Sequence, residues 1–161
     1  MSSPRTPARQ YCAFRVDDLL LGIELGRVRE VLRRGDPTPV PGASNDVLGL
    51  MNLRGEIVTV LDIRSRLGLP PATRSERSVY VVLDSGDESV SLVADEVHEV
   101  IAVDEAAFEE PPNALPARLR RHLTGIYKLP GRLLLALDVD AAVELAGAAA
   151  ATTGARGDIP P

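Results

Sequence analysis

The strongest constraint on the fold is a pattern that the chain carries twice. Gly49, Leu53, Gly55 and Asp62 recur with identical spacing as Gly125, Leu129, Gly131 and Asp138. Each set closes on an apolar run, Ile57-Val58-Thr59-Val60-Leu61 in the first and Leu133-Leu134-Leu135-Ala136-Leu137 in the second. Upstream, Val28-Arg29-Glu30-Val31 is echoed by Val97-His98-Glu99-Val100. Two copies of a strand-rich unit within 161 residues point to a built surface rather than a single catalytic pocket. The copies differ at one informative bend. The first reads Asn52-Leu53-Arg54-Gly55 and the second Lys128-Leu129-Pro130-Gly131, so a partner can tell them apart.

Each copy begins as a hairpin. Tyr11–Val16 and Leu19–Leu25 flank Asp17-Asp18, while Ser78–Leu83 and Ser89–Ala94 flank the turn-forming residues 84–88. Cys12, Phe14 and Val16 alternate with Tyr11, Ala13 and Arg15, the period of a half-buried strand. Third strands are predicted near Val28–Arg33 and Val97–Val103. The connections that follow, 35–41 and 109–116, are punctuated by proline, which excludes helix interior and central strand and sends them over the surface. The last strand pairs are Leu48–Leu53 with Ile57–Leu61, and Leu123–Leu129 with Leu133–Leu137. Asp62 and Asp138 are placed to cap short helices. The first helix, Ile63–Leu67, stops at Gly68 before Pro70-Pro71, and the second is predicted over Val139–Ala146.

Five short strands per unit, with frequent turn signals, predict an all-β fold of two small closed barrels. A β-sandwich competes but leaves the repeat unexplained. The boundaries are an N-terminal arm over 1–9, barrel one over about 10–67, a linker over 68–77 and barrel two over about 78–138. A C-terminal helix over 139–147 completes the two-barrel domain of 10–147, and the Ala/Gly-rich tail 148–161 reads as disordered.

Composition narrows the function. A net charge of −5 works against nucleic acid as partner. The core must be aliphatic, since Trp is absent and aromatics make up 3% of residues. Cys12, the lone cysteine, permits no internal disulfide and fits a reducing compartment, as a small core residue rather than a nucleophile. The first ten residues lack a signal-peptide apolar run, and no segment approaches the ~20 apolar residues of a membrane helix, so the protein reads as cytosolic. Phosphate-loop, dinucleotide and nucleophile-elbow motifs are missing. Asp95, Glu96, His98 and Glu99 alternate across a strand and read as a solvated edge rather than a metal site. Arg118, Arg120, Arg121 and His122 read as groups that cap or solubilise a short helical turn, and Arg156-Gly157-Asp158 as a chance tripeptide. The expectation is no catalytic residue, no metal and no cofactor.

In the residues that carry these features the chain resembles the CheW family of bacterial chemotaxis coupling proteins. The resemblance rests on Gly22-Ile23, Val28-x-Glu30-Val31, Thr38-Pro39-Val40-Pro41, the run Gly49 to Gly55 and the run Val58 to Arg64. Leu123-Thr124-Gly125-Ile126 and Leu135-Ala136-Leu137-Asp138 carry it into the second half, so that it covers roughly 10–145. It implies a non-catalytic adaptor built as two intertwined SH3-like five-stranded barrels with short helices. Such an adaptor bridges the cytoplasmic tips of methyl-accepting chemoreceptors to the regulatory domain of the histidine kinase CheA, at membrane receptor arrays. It also implies that the receptor's helical hairpin docks in the groove between the barrels. Val28, Glu30 and Arg54 fall on the family's receptor-contact motif, and Asn52, Leu53 and Gly55 complete the candidate receptor-binding set.

Each candidate has a plainer role beside the functional one. Arg54 can offer a planar fork to a carboxylate or to carbonyls at a helix end, or it can pair internally with Glu30 or Asp62. If Val28 and Glu30 share a face, Arg29 and Val31 take the other, which makes Val31 the better core candidate. Asn52 can simply bond its own turn. Rival functions are a generic small-barrel peptide-binding module, an enzyme or small-ligand sensor with a pocket between the barrels, and a free-standing regulator of a kinase in a non-motility pathway. Scarce aromatics count against the peptide-binding module.

Overall fold

The computed structural model describes residues 9–72, 77–86 and 88–143. The first hairpin is β1 (Arg9–Val16) and β2 (Leu19–Glu24), followed by a 3-10 turn over Leu25–Arg27 and by β3 (Val28–Leu32). Then come β4 (Val47–Leu53), β5 (Glu56–Leu61) and α1 (Ile63–Leu67). The second half repeats the order. It runs β6 (Val79–Ser85), β7 (Glu88–Ala94), β8 (Glu96–Val103), β9 (Phe108–Glu109), α2 (Ala117–Arg120), β10 (Leu123–Leu129) and β11 (Arg132–Leu137). A helical turn, α3, begins at 139 and is described to 143. Most of the predicted arm 1–9, linker residues 73–76, the helix beyond 143 and the whole tail with Arg156-Gly157-Asp158 lie outside the described residues.

Local chemistry sets the element ends as expected. The Asp62 carboxylate accepts from the Arg64 N–H at 3.1 Å and caps α1, and the Asp138 carboxylate accepts from the Ala141 N–H at 3.0 Å and caps α3. Gly68 ends α1 in the left-handed conformation at φ 76°.

The sheets do not divide at the linker. One has the order β3-β6-β7-β5-β4 and the other β8-β1-β2-β11-β10-β9. Each half therefore gives its opening hairpin to the other half's sheet, which fits the intertwining that the resemblance implies. The junctions are equivalent. β2 lies parallel to β11 with Leu21 opposite Leu135, and β7 lies parallel to β5 with Thr59 opposite Val90. A hairpin is satisfied locally by its own ladder whichever sheet it joins, so alternation alone does not reveal its destination.

Neither ladder closes upon itself, and one sheet has six strands where five were expected. The surface connections come in against the outer strands instead. Thr38 exchanges backbone hydrogen bonds with Leu50 at 2.8 and 2.9 Å, and β9 pairs with Ile126 and Tyr127 of β10. These approaches explain the repeated glycines. A Cβ on Gly49 would lie 2.3 Å from the Thr38 carbonyl oxygen, and one on Gly125 would lie 2.1 Å from the Phe108 ring. The repeat thus preserves a close crossing of chain over strand.

The main core is aliphatic and draws on both halves: Phe14, Leu21 and Ile23 meet Leu61, Ile63 and Leu83, while Val139, Ala142 and Val143 cover one side. Buried aliphatic side chains of this size each contribute about 1.5–3 kcal/mol. A smaller cluster holds Tyr11 and Tyr127, whose ring centroids are 5.4 Å apart. Cys12 is half-buried against the main core, and that burial pushes its thiol pKa up.

Candidate functional site

The candidate residues converge where β3 faces the β4–β5 bend. β3 is an edge strand with a bulge between Val28 and Glu30. The structure overturns the expectation for Val31, which is 36% exposed. Val28 is the residue that is half-buried against the main core. Alternation correctly groups residues by face but does not say which face is covered.

At the bend, Arg54 and Gly55 both have positive φ, 52° and 87°, between the paired Leu53 and Glu56. This is the pattern of a type I′ turn, whose twist matches that of the flanking strands. A non-glycine residue held there costs about 1–2 kcal/mol. Asn52 offsets part of it, because its Oδ1 accepts from the Gly55 N–H at 2.9 Å, the plainer of the two roles considered for it. Leu53 is buried against Val58 and Val82, supporting the bend from beneath without reaching the surface.

Arg54 donates from Nη2 to Glu30 Oε2. The Arg54 side chain is 65% exposed and that of Glu30 24%. An ion pair this solvated contributes at most about 1 kcal/mol, so Arg54 is only loosely held. The pair spans from edge strand β3 to the bend beside the opposite edge strand, closing with side chains what the ladder leaves open.

Sequence reasoning missed a second layer. Arg29 donates to Glu56 and to Ser89 Oγ, and Ser89 donates to Glu56 at 2.6 Å. Hydrogen bonds from Arg29 and Ser89 hold the Glu56 carboxyl below its ordinary pKa, and the bond to Glu56 raises that of Arg29. The repeat carries no copy of this layer: Arg132 occupies the position equivalent to Glu56 and donates instead to Glu99, the equivalent of Glu30, at 2.7 Å. Glu30 and Glu99 are thus both bound by an arginine at or beside the bend. In the second copy the bend itself carries Pro130, which has no donor.

The acidic cluster on β8 is also more engaged than a solvated edge. Asp95, ahead of β8, accepts from Arg64 Nη2 at 2.6 Å and from the Asp17 N–H at 2.8 Å. Burial pushes its pKa up, but the bonds from Arg64 and Asp17, with the charges of Arg64 and Arg15, leave it below the ordinary value. A cleft of about 270 Å³ opens beside this pair, lined by Leu48, Asp62, Arg64, Ser78, Val93 and Asp95. Its guanidinium is occupied, since Arg64 also donates to the Pro70 carbonyl at 2.8 Å. On α2, Arg120 donates to the carbonyls of Asn113 and Leu115, and His122 is buried with Nδ1 2.7 Å from the Arg118 carbonyl oxygen. Arg120 and His122 thus serve the helical turn, as expected of the whole patch, whereas Arg118 donates to the Arg66 carbonyl of α1 at 3.2 Å. Among the described residues no group of His, Cys, Asp or Glu is arranged to hold a metal, and no helix is long and apolar enough to cross a membrane.

The CheW-like domain matches residues 10–146. The chain is 30% identical over 132 residues to the chemotaxis protein CheW of Rhizobium meliloti, covering 82% of this chain and 85% of that one. It is 31% identical over 131 residues to the protein FrzA of Myxococcus xanthus, with 81% of each chain covered. The crystal structure of the scaffolding protein TtCheW from Thermoanaerobacter tengcongensis superposes with a TM-score of 0.74 at 27% identity, covering 81% of this chain and 88% of that one.

Proposed function

The chain belongs to the CheW family of non-catalytic chemotaxis adaptors, and we propose that it couples the cytoplasmic tips of chemoreceptors to a CheA-type histidine kinase. It works in the cytoplasm and is recruited to membrane-bound receptor arrays through its partners. The receptor's helical hairpin meets the first barrel at Arg54, with Glu30 and Asn52 beside it. Val28 and Leu53 act from below by fixing β3 and the bend.

The observation that carries this reading is the presentation of Arg54. It stands 65% exposed at a bend in positive φ, tied only by a solvated ion pair. A guanidinium in that state can exchange the Glu30 carboxylate for a carboxylate or for helix-end carbonyls of a partner at little cost. Co-sedimentation of a receptor signalling-tip fragment and the kinase with wild-type protein and with Arg54→Glu tests it. The expected result is a ternary complex that the substitution weakens by about 2 kcal/mol in receptor docking, as loss of a central interface arginine does. Unchanged binding by the folded variant removes Arg54 from the site. Kinase binding without receptor binding overturns the coupling role.

A further inference from the structure

Two arginines next to the site have no partner among the described residues. Arg33 and Arg34 follow β3 directly and are both exposed. Among the described residues they make no hydrogen bond or ion pair, whereas Arg29 and Arg54 are each bound to a carboxylate. They stand out in a chain of net charge −5. Asp36, the nearest acidic residue after them in the chain, is also exposed and forms no ion pair with either.

Their position is fixed on both sides. Leu32, just before them, packs against Leu53 and Val58 in one cluster and against Met51 and Tyr80 in another. Gly35, just after, lies so close to Met51 and Tyr80 that a Cβ would come within 2.8 Å of the Met51 sulfur. The Tyr80 hydroxyl donates to the Gly35 carbonyl at 3.0 Å, and Thr38 is bridged to Leu50. The dipeptide is therefore strapped beside the last residues of β4, immediately before Arg54. The neighbouring Val31 adds an exposed apolar side chain.

We infer that Arg33 and Arg34 extend the Arg54 site into a cationic rim that selects an acidic helical partner, one whose docking face carries carboxylates beside an apolar residue. The inference rests on the coupling reading above and names the chemistry of the partner it requires. The physical basis is complementarity. Two unpaired guanidinium groups on a pinned backbone can meet a partner's carboxylates without breaking an existing ion pair, and rim charges act mainly on association rate and on salt dependence. Their effect must fade as the screening length contracts from about 10 Å at 0.1 M salt to about 3 Å at 1 M.

The test measures binding of a soluble receptor signalling-tip hairpin to the full chain across a salt series. Wild type is compared with the Arg33→Ala/Arg34→Ala double variant. Arg121→Glu serves as control, because it changes the net charge by the same amount at the far end of α2. Circular dichroism confirms that each variant is folded. The double variant is expected to bind about tenfold more weakly at low salt and to converge with wild type at high salt, with Arg121→Glu unaffected. Replacing the hairpin's Asp and Glu by Asn and Gln should abolish the difference. Equal binding by wild type and double variant, or equal losses in the double variant and the control, overturns the rim while leaving the coupling role in place. A loss confined to kinase binding also overturns it. No hairpin binding by wild type overturns both.

Discussion

Arg54 meets two demands at once. It holds a backbone conformation that favours glycine, and its side chain is the exposed donor of the site. These demands separate on substitution. Arg54→Gly removes a positive-φ cost of about 1–2 kcal/mol and loses a solvated ion pair worth less than about 1 kcal/mol. Urea unfolding is therefore expected to show the variant more stable than wild type by roughly 0.5 kcal/mol, while receptor-tip binding falls. A variant that is destabilised would mean that the Glu30 pair supports the barrel more than its exposure allows. Arg54→Pro should act in the opposite sense, since proline fixes φ near −65° and forces the first bend toward the different turn carried by Pro130-Gly131. At this scale the sequence was informative about position and less so about state. The bend, the Asn52 bond and the caps of Asp62 and Asp138 follow from residue type and spacing. The burial of Leu53 and the exposure of Val31 depend on which strand lies alongside, and no local pattern contains that.

At the scale of elements, the repeated glycines mark crossings that the sheets require. Gly49 faces a backbone carbonyl that no rotation can move, whereas Gly125 faces chiefly the Phe108 ring. Both Gly→Ala substitutions should destabilise, by about 1–3 kcal/mol from overpacking, but only the second has a removable obstacle. Adding Phe108→Ala to Gly125→Ala is expected to recover part of the loss. The double-mutant cycle should give a coupling of at least about 0.5 kcal/mol, read by thermal or denaturant unfolding. Additive losses would show that the Glu109 carbonyl, 2.9 Å from the same Cβ position, is the true obstacle. The hairpins, third strands and final strand pairs were legible from alternation and turn residues. The two-residue β9 was not, because a segment that short has no period to read.

For the whole molecule, one contact that joins distant stretches is Asp95 with Arg64 and the Asp17 N–H, linking α1, the β1–β2 turn and the β7–β8 junction. Because the folded pKa of Asp95 lies below its ordinary value, its contribution is present at neutral pH. It is lost as pH falls below about 4 and through the folded pKa. Asp95→Asn should cost about 1 kcal/mol at pH 7, discounted for partial solvation, and the gap from wild type should narrow progressively in acid. A gap that stays constant from pH 7 to pH 3 would assign the loss to packing rather than charge. The sequence offered Asp95, Glu96 and Glu99 but not their partners: those of Asp95 and Glu96 come from the other half of the chain, and that of Glu99 is Arg132 on β11.

The exchanged hairpins have a consequence for how such a protein can change. The six-stranded sheet is encoded in two separated stretches, β1–β2 and β8–β11, and the five-stranded sheet β3–β7 lies between them in the chain, so a substitution in the opening strands alters the surface of the later lobe, and the reverse holds for β6 and β7. A duplicated ancestor with independent lobes could lose, trade or replace one of them by recombination. Here a crossover at the linker cuts through both sheets, and drift in either half is felt by both. The two lobes must be inherited together, and differences between them, such as Arg54 against Pro130, accumulate only as far as a shared scaffold tolerates.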